Sequence, residues 1–467
     1  MMEERMKKQI LHAATLLMLA FGVLMAYVTY LMTFQSEALA LHPLNPRSSV
    51  GEDHIWRGSL LDAKGRPLAE SDLPGARSYP YGEMMAPVTG YFGESTGSAG
   101  LEGYANRTLL GITDEMGRMG PVAQLFAADH GNHVRLTIDA DVQQAAWDGL
   151  DGRRGAVVVL DADTGAVLAL VSSPSFDPSD IEAQWDSLLQ REDSPLLNRP
   201  LAGLYPPGST IKPMIADIAL EKQITDPGEF FECSGLLDVG GGYTIKESHD
   251  EAHGKLTLGE AIRESCNVTF GTLGMRLGGQ GLSDGFHRFA FDRSLQGELM
   301  ESGNHLPDFY HLDSGDLAQI GIGQSSLLVT PMHMALLAAA MVHGGIIMKP
   351  YMIDEVLSPS GAVLHKTQPE EWAAATTEER ARMISAWMRD VVEKGTGTAA
   401  AVSDVPVFGK TGTAENPAGD DHAWFIGSAR LPERTIAFAV LVENGGEGGR
   451  TAAPIARDVM MSILSGN

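Results

Sequence analysis

The stretch that decides the fold reads YPPGSTIKPMIADIAL and covers residues 205–220. Its prolines and glycine predict a turn that leads into an apolar helix. Ser209 and Lys212 then lie in the first turn of that helix, three residues apart and on one face, where the amine can reach the hydroxyl. Unpaired N–H groups at the helix start can stabilise a developing negative charge. The pattern predicts a serine nucleophile with a lysine base, and the alternative is a capping serine beside a surface lysine.

Two further polar motifs follow in chain order, SCN at residues 265–267 and KTGT within VFGKTGTAE, residues 407–415. The apolar entry and small residues of the second predict a strand that another backbone can approach closely, with residues 421–427 as its hairpin partner. A lysine with adjacent hydroxyls on an exposed strand suits recognition of a carboxylate, and a strand edge can pair with an extended peptide. The alternative is a solvated edge that Lys410 protects from aggregation. Each motif is weak alone, but together they can supply a base, a proton relay and an oxyanion site.

In this order, and with the residues around them, the motifs resemble those of the class B penicillin-binding proteins, which are peptidoglycan D,D-transpeptidases. Other stretches similar to that family are His253-Gly254, Ile322-Gly323-Gln324, Thr330-Pro331, Gly395-Thr396-Gly397-Thr398 and His422-Ala423-Trp424-Phe425. The resemblance covers nearly the whole chain. It implies an α+β fold, with a penicillin-binding and serine β-lactamase-like transpeptidase domain built on a five-stranded antiparallel sheet flanked by helices. A small, mostly β pedestal of the compact form and one transmembrane helix complete the implied architecture.

The resemblance implies a reaction at the D-Ala-D-Ala end of a peptidoglycan stem peptide. Neutral Lys212 would take the proton of Ser209 as the hydroxyl attacks, since burial and the cation of Lys410 would lower the pKa of Lys212. Ser265 would pass a proton to the leaving D-alanine, and Asn267 would hold Lys212 and the donor peptide amide. An amine of a neighbouring stem peptide would then attack the acyl-serine and form the cross-link.

Substrate recognition is implied for the third motif. Thr411 and Thr413 would bind the terminal carboxylate, with Gly412 between them, and the backbone N–H groups of Ser209 and Thr413 would form the oxyanion hole. β-Lactams would acylate the same serine, and no metal or organic cofactor is expected. A membrane-anchored serine β-lactamase or a D,D-carboxypeptidase would share the first step. A non-catalytic penicillin-binding receptor or scaffold is the alternative of another class.

Length, composition and charge fit such a protein. The chain has 467 residues, of which 44% are hydrophobic and 20% charged, so two folded domains are expected. Its net charge of -26 and its pI near 4.8 argue against nucleic acid as a partner. An anionic cell-wall strand would have to be attracted by local groups such as Lys410.

Residues 10–32 form an uncharged apolar segment that follows several basic residues. The segment exceeds the roughly 20 residues needed to cross a bilayer. The basic flank predicts a cytoplasmic tail at residues 1–9 and an extracytoplasmic catalytic domain. A cleaved signal peptide is the alternative, because Ala-Leu-Ala at residues 38–40 resembles a cleavage site, although secretory cores are usually shorter. The resemblance further implies a membrane partner, a polytopic glycosyltransferase of the shape, elongation, division and sporulation group.

The rest of the chain divides into a pedestal at residues 33–135 and a transpeptidase domain at residues 136–467. The first part has short apolar runs between glycine-rich turns, and the second begins with longer strand and helix patterns. Within the pedestal, Arg57 and Glu102 are interpreted as structural ionic groups, because nothing near them in the sequence offers a nucleophile.

The chain has two cysteines, Cys233 and Cys266. They could form a disulfide, and two free, mostly buried thiols are the favoured state. The histidines nearest the motifs are His249, His253 and His422, and none belongs to a sequence pattern with metal-ligand spacing. The sequence therefore predicts structural roles for these side chains and no metal site.

Overall fold

The computed structural model describes residues 2–34, 55–73, 76–93, 95–112, 129–248, 251–416 and 419–466. The first helix is Met2–Phe34, and Arg5–Leu31 within it is the one described segment long and apolar enough to cross a membrane, with a mean hydropathy of 2.0. This apolar segment is not buried against the rest of the protein. The predicted anchor at residues 10–32 lies in this helix, and the alternative cleavage site at residues 38–40 lies outside the described residues.

A five-stranded antiparallel sheet forms the centre of the large domain, as the family resemblance implies. In spatial order its strands are Val407–Ala414, His422–Arg430, Thr435–Val442, Gly155–Asp161 and Val167–Ser173. The strand that carries the lysine motif therefore lies at one edge, beside its predicted hairpin partner, with Lys410 opposite Ile426.

Helices cover both faces of this sheet, because successive residues of each strand point to opposite sides. Val158 faces a cluster that includes the helix Pro331–Val342. Its neighbour Val157 faces the opposite cluster, which includes the helices Ala140–Leu150 and Gly448–Ser465. The sheet is thus buried on both sides, and the strand Val407–Ala414 forms one of its two edges.

The helix that begins at Pro331 has the capping pattern predicted from the sequence. The hydroxyl of Thr330 accepts a hydrogen bond from the backbone N–H of His333. Other helices among the described residues are Ala86–Thr89, Gly100–Tyr104, Asn106–Leu109, Ile181–Gln190, Arg199–Ala202, Lys212–Glu221, Leu258–Glu264, Asn267–Arg288, Ser314–Gly321 and Glu378–Lys394. Several of these form the helical lobe that carries the first two motifs.

A small mixed sheet connects the pedestal to the large domain. In spatial order its strands are Val363–Lys366, Ile353–Leu357, His133–Leu136, Leu60–Leu61 and Pro67–Ala69. The first two strands come from the later part of the chain. The predicted boundary between residues 135 and 136 therefore falls inside a strand of the sheet that links the two parts.

The remaining described strands form two-stranded sheets. These are Tyr91–Gly93 with Gly97–Ala99, Phe230–Cys233 with Gly254–Thr257, Leu236–Gly240 with Tyr243–Lys246, and Ile346–Met348 with Glu371–Ala374.

In the pedestal, short strands alternate with short helices around a buried ion cluster. Glu102 lies 2.8 Å from Arg57 and 2.6 Å from Arg77. Burial alone would raise the pKa of Glu102, but the two guanidinium groups hold it below its ordinary value. This arrangement agrees with a structural role for Arg57 and Glu102.

Candidate active site

The serine motif forms a turn of 3₁₀ helix, Gly208–Ile211, which continues directly into the helix Lys212–Glu221. The turn and helix predicted from the sequence are both present. Ser209 is partly exposed, whereas Lys212 is fully buried. Ser209 can therefore be reached from solvent, whereas Lys212 cannot.

This turn, called the serine turn below, packs against the strand Val407–Ala414, called the motif strand. Gly208 has a φ of +52°, and a Cβ atom there would lie 2.7 Å from the carbonyl oxygen of Thr413. A Cβ atom at Gly412 would lie 2.8 Å from Cγ2 of Thr210. Gly208 needs to be glycine because the Thr413 backbone approaches it this closely, and Gly412 because the Thr210 side chain does.

The second motif occupies the junction between two helices. The helix Leu258–Glu264 begins with a capping box and ends at Ser265, which has a φ of +62°. Asn267 begins the next helix. A left-handed backbone costs a non-glycine residue about 1–2 kcal/mol. The junction therefore needs compensating contacts, and Ser265 receives them from two lysines.

The three motifs meet at the hydroxyl of Ser265. Its Oγ atom accepts a hydrogen bond from Nζ of Lys410 at 2.8 Å and from Nζ of Lys212 at 3.3 Å. The Lys212 amine also donates to Oδ1 of Asn267 at 2.8 Å and to the carbonyl oxygen of Ser265 at 2.5 Å. One hydroxyl thus links the lysine of the serine motif to the lysine of the motif strand.

Burial controls the charge of both amines. It lowers the pKa of Lys212 to about 8, although the nearby Glu247 carboxylate acts in the opposite direction. Burial also lowers the pKa of Lys410 well below its ordinary value, and the charge of Lys212 lowers it further. The expected influence is thus reversed: burial, and not the Lys410 cation, lowers the pKa of Lys212, and it is the charge of Lys212 that lowers the pKa of Lys410. A neutral amine is accessible near neutral pH, as a lysine base requires.

The nucleophile and its predicted base are not hydrogen-bonded to each other in this arrangement. Among the described residues, the Lys212 amine bonds to Ser265 and Asn267, not to the Ser209 hydroxyl. Proton transfer from Ser209 therefore requires Lys212 to exchange one of these partners. Hydrogen bonds between catalytic groups are often long or poorly aligned until the substrate binds.

The prediction that the motif strand exposes its lysine is wrong. Lys410 is fully buried, because the serine turn and the helix Glu378–Lys394 pack against this strand. Thr413 is partly exposed, and the buried Thr411 hydroxyl shares a 2.6 Å hydrogen bond with the hydroxyl of Thr396. Recognition of a carboxylate can therefore involve the hydroxyls near the surface, with the ammonium group behind them.

A buried carboxylate behind the second motif was not predicted from the sequence. Glu247 accepts hydrogen bonds from the backbone N–H groups of Asn267, at 2.9 Å, and Val268, at 2.7 Å. Burial raises the pKa of Glu247, but these N–H groups and the nearby Lys212 bring it below its ordinary value. No short motif marks Glu247, because only the fold brings it to the start of the helix that Asn267 begins.

The residues before the serine turn are held by the sheet. The Tyr205 hydroxyl donates to Glu443 at 2.8 Å, and Arg199 Nε donates to the same carboxylate oxygen at 2.7 Å. The indole N–H of Trp424 donates to the carbonyl oxygen of Pro206 at 3.0 Å. These contacts connect the start of the turn to the strands that follow the motif strand.

Comparison with known proteins identifies the class of protein that has this fold and site. The penicillin binding protein transpeptidase domain matches residues 155–461, and the penicillin binding protein A dimerisation domain matches residues 57–130. The chain belongs to the penicillin-binding protein transpeptidase family, and within it to the class B proteins.

Three relatives resemble it over almost their full length. Peptidoglycan D,D-transpeptidase PbpA of Mycolicibacterium smegmatis is 32% identical over an alignment that covers 98% of this chain and 99% of the relative. The structure of penicillin-binding protein A from M. tuberculosis in a ceftriaxone acyl-enzyme complex has 31% sequence identity and a TM-score of 0.82, and the match covers 88% of this chain and 99% of that one. A D,D-transpeptidase domain from Eggerthella lenta has 30% identity and a TM-score of 0.79, with 88% of this chain and 99% of that chain covered.

Proposed function

We infer that the protein is a peptidoglycan D,D-transpeptidase, which cross-links stem peptides through an acyl-serine intermediate and is covalently inhibited by β-lactams. The observation that carries this conclusion is the hydroxyl of Ser265, which accepts hydrogen bonds from Lys212 and Lys410 beside the serine turn. Relatives named as D,D-transpeptidases and acyl-enzyme structures with β-lactams support the same conclusion.

For acylation we propose that the Ser209 hydroxyl attacks the carbonyl carbon of the penultimate D-alanine. Its proton passes to neutral Lys212, and Ser265 then delivers a proton to the amine of the departing D-alanine. Asn267 holds Lys212, which its 2.8 Å hydrogen bond supports. Lys410 completes the relay through its contact with Ser265. The acceptor amine then attacks the acyl carbon, forms the new amide bond and returns the Ser209 hydroxyl.

For substrate binding we propose that the donor peptide pairs with the free edge of the motif strand. Thr411 and Thr413 would hold the terminal carboxylate, and Gly412 would let the peptide lie close to the strand. The backbone N–H groups of Ser209 and Thr413 would form the oxyanion hole, an interaction whose loss costs about 2.7–4 kcal/mol in a serine protease. The close packing of Gly208 against Thr413 supports an oxyanion hole shared by the serine turn and the motif strand.

At the level of the cell we propose a single-pass membrane protein with a cytoplasmic tail at residues 1–9 and an extracytoplasmic catalytic domain at residues 136–467. The helix Met2–Phe34 and the basic residues near its start support this orientation. A reporter active only outside the cytoplasm, fused to the C-terminus, would be active, and an inactive fusion would refute the orientation.

A polytopic glycosyltransferase of the shape, elongation, division and sporulation group is the proposed partner, contacting the anchor and the pedestal at residues 33–135. Failure to co-purify with such an enzyme from native membranes would argue against that partner.

The function is tested by supplying a donor stem peptide that ends in D-Ala-D-Ala together with an acceptor amine. A transpeptidase releases D-alanine and forms a cross-linked product, whereas a D,D-carboxypeptidase releases D-alanine without a cross-link. A fluorescent penicillin gives a second measurement, because its adduct persists on a transpeptidase and is rapidly hydrolysed by a β-lactamase. Ser209→Ala should abolish both signals, whereas Ser187→Ala, an exposed serine on the helix Ile181–Gln190, should retain them. Absence of labelling in the unmodified protein would favour a non-catalytic scaffold.

A further inference from the structure

The stretch Gly-Thr-Gly-Thr at residues 395–398 has no role in the proposed reaction, yet it reaches the motif strand. Oγ1 of Thr396 lies 2.6 Å from Oγ1 of Thr411, and the two hydroxyls share one hydrogen bond. Thr396 is exposed, whereas Thr411 is buried. An exposed hydroxyl thus lies directly beside one of the two threonines proposed to bind the terminal carboxylate.

The backbone on both sides of Thr396 is held by one carbonyl group. The N–H groups of Gly395 and Gly397 donate to the carbonyl oxygen of Val391, at 3.1 and 3.0 Å. Val391 lies in the helix Glu378–Lys394, which packs against the motif strand. The Thr396 hydroxyl is therefore presented to the strand by a turn whose two flanking residues are fixed to a neighbouring helix.

A second helix begins against the same pair of hydroxyls. Gly449 lies in the first turn of the helix Gly448–Ser465. A Cβ atom at Gly449 would lie 2.4 Å from the carbonyl oxygen of Thr396 and 3.6 Å from Cγ2 of Thr411. The positive end of a helix dipole, which favours a negative charge, thus lies beside the two threonines.

We propose that Thr396 is a positioning residue that gives the site its preference for a carboxylate. Its hydroxyl donates to Oγ1 of Thr411, so that the proton of the Thr411 hydroxyl is available to the terminal carboxylate of the donor peptide. A carboxylate can only accept hydrogen bonds. With the opposite direction, Thr411 would use its proton on Thr396 and present only lone pairs to the anion. The inference rests on the proposed function, because it requires Thr411 to bind this carboxylate.

The two hydroxyls then form a chain of donors that ends on the anion, and each hydrogen bond in such a chain polarises the next. This chain is important because Lys410 is fully buried, and its amine already donates to Ser265 and to the carbonyl oxygen of Thr411. Thr413 lies two residues along the strand and therefore on the same face as Thr411, and it is partly exposed. The hydroxyls, and not the ammonium group, thus make the direct contacts with the carboxylate.

The experiment compares acylation of the full-length protein by benzylpenicillin, which has a free carboxylate, with acylation by its methyl ester, which has none. The two second-order rate constants give a ratio of acid to ester, from which a loss of folded protein cancels. Thr396→Val replaces the hydroxyl with a methyl group and should lower this ratio by about 5-fold, the effect of one hydrogen bond. Thr396→Ser retains a hydroxyl and should keep the ratio close to that of the unmodified protein. Thr398→Val is the matched control, since Thr398 is an exposed threonine of the same stretch, and it should leave the ratio unchanged.

An unchanged ratio in Thr396→Val, including equal losses for acid and ester, would overturn the inference. A ratio as low in Thr396→Ser or in Thr398→Val as in Thr396→Val would overturn it too. If the unmodified protein reacts equally fast with acid and ester, the site does not select a carboxylate, so the inference fails and the acyl-serine reaction stands. If neither reagent forms an adduct, the proposed function itself fails, and the role of Thr396 fails with it.

Discussion

At the scale of the residue, the site depends on a hydroxyl that two buried amines share. Ser265 accepts from both Lys212 and Lys410, and its removal would leave two buried donors short of a partner. An unsatisfied buried polar group costs about 1–3 kcal/mol, and more when it is charged. The sequence identified these residues through their motifs. It could not reveal the depressed pKa of Lys410, because that shift comes from tertiary burial and from the neighbouring Lys212.

Ser265→Ala should slow penicillin acylation by about 10²-fold or more, because a positioned proton carrier contributes about 10²–10⁴ in rate. The rate of adduct formation measures this effect. Ser302→Ala is the matched control, since Ser302 also begins a Ser-x-Asn sequence but lies exposed on the surface. Equal rates for Ser265→Ala and the control would refute the role of Ser265 as a proton relay.

The acylation rate should rise with pH and reach half its maximum near the Lys212 pKa of about 8. The sign follows from the base role, because only the neutral amine accepts a proton and the neutral form increases as pH rises through that pKa. Lys212→Arg should lose acylation, since a guanidinium stays protonated. Lys222→Arg, a substitution of a lysine paired with Asp284, should leave the profile unchanged. A rate independent of pH between about 6 and 9 would contradict a lysine base.

At the scale of the element, the site is the junction of a turn, a helix boundary and an edge strand. The sequence predicted the turn and the hairpin because their glycines, prolines and β-branched runs are local signals, whereas the five-stranded sheet was implied by the family resemblance. It did not predict that the small sheet of the pedestal includes Ile353–Leu357 and Val363–Lys366, since pairing between distant segments leaves no local pattern. The position of Glu247 behind the second motif was missed for the same reason.

Gly208→Ala should sharply reduce acylation, because the added Cβ atom would lie 2.7 Å from the Thr413 carbonyl oxygen and force the serine turn away from the motif strand. Gly152→Ala is a matched control, with a φ of +71° and nothing within 4 Å of the added atom. In that variant the left-handed backbone should lower the free energy of unfolding by about 1–2 kcal/mol, and the acylation rate should be unchanged. Acylation rates and unfolding midpoints distinguish the two effects, and equal rates in both variants would show that this packing does not matter.

At the scale of the whole molecule, the net charge of the chain is opposite in sign to the lysines of the proposed site. The chain carries a net charge of -26, yet the proposed site is built around two buried lysines. The long-range field therefore repels an anionic substrate, and attraction begins only near the site. The domain order and the anchor were predicted from motif order, hydropathy and family resemblance.

Acylation by an anionic penicillin should become faster as salt is raised from low ionic strength, because salt screens the repulsion over a Debye length of about 10 Å at 0.1 M. A zwitterionic penicillin should show a weaker dependence. The second-order rate constant of acylation measures both. A rate for the anionic penicillin that falls with salt would contradict the expected repulsion.

The central claim is that three distant motifs form one acylation site whose nucleophile is Ser209. The most direct measurement is to digest the penicillin-treated protein and locate the adduct by mass spectrometry. The account predicts one adduct, on the peptide that contains Ser209, and much slower formation when Lys410 is replaced by alanine. An adduct on any other residue, Cys266 included, or an undiminished rate in Lys410→Ala, would contradict it.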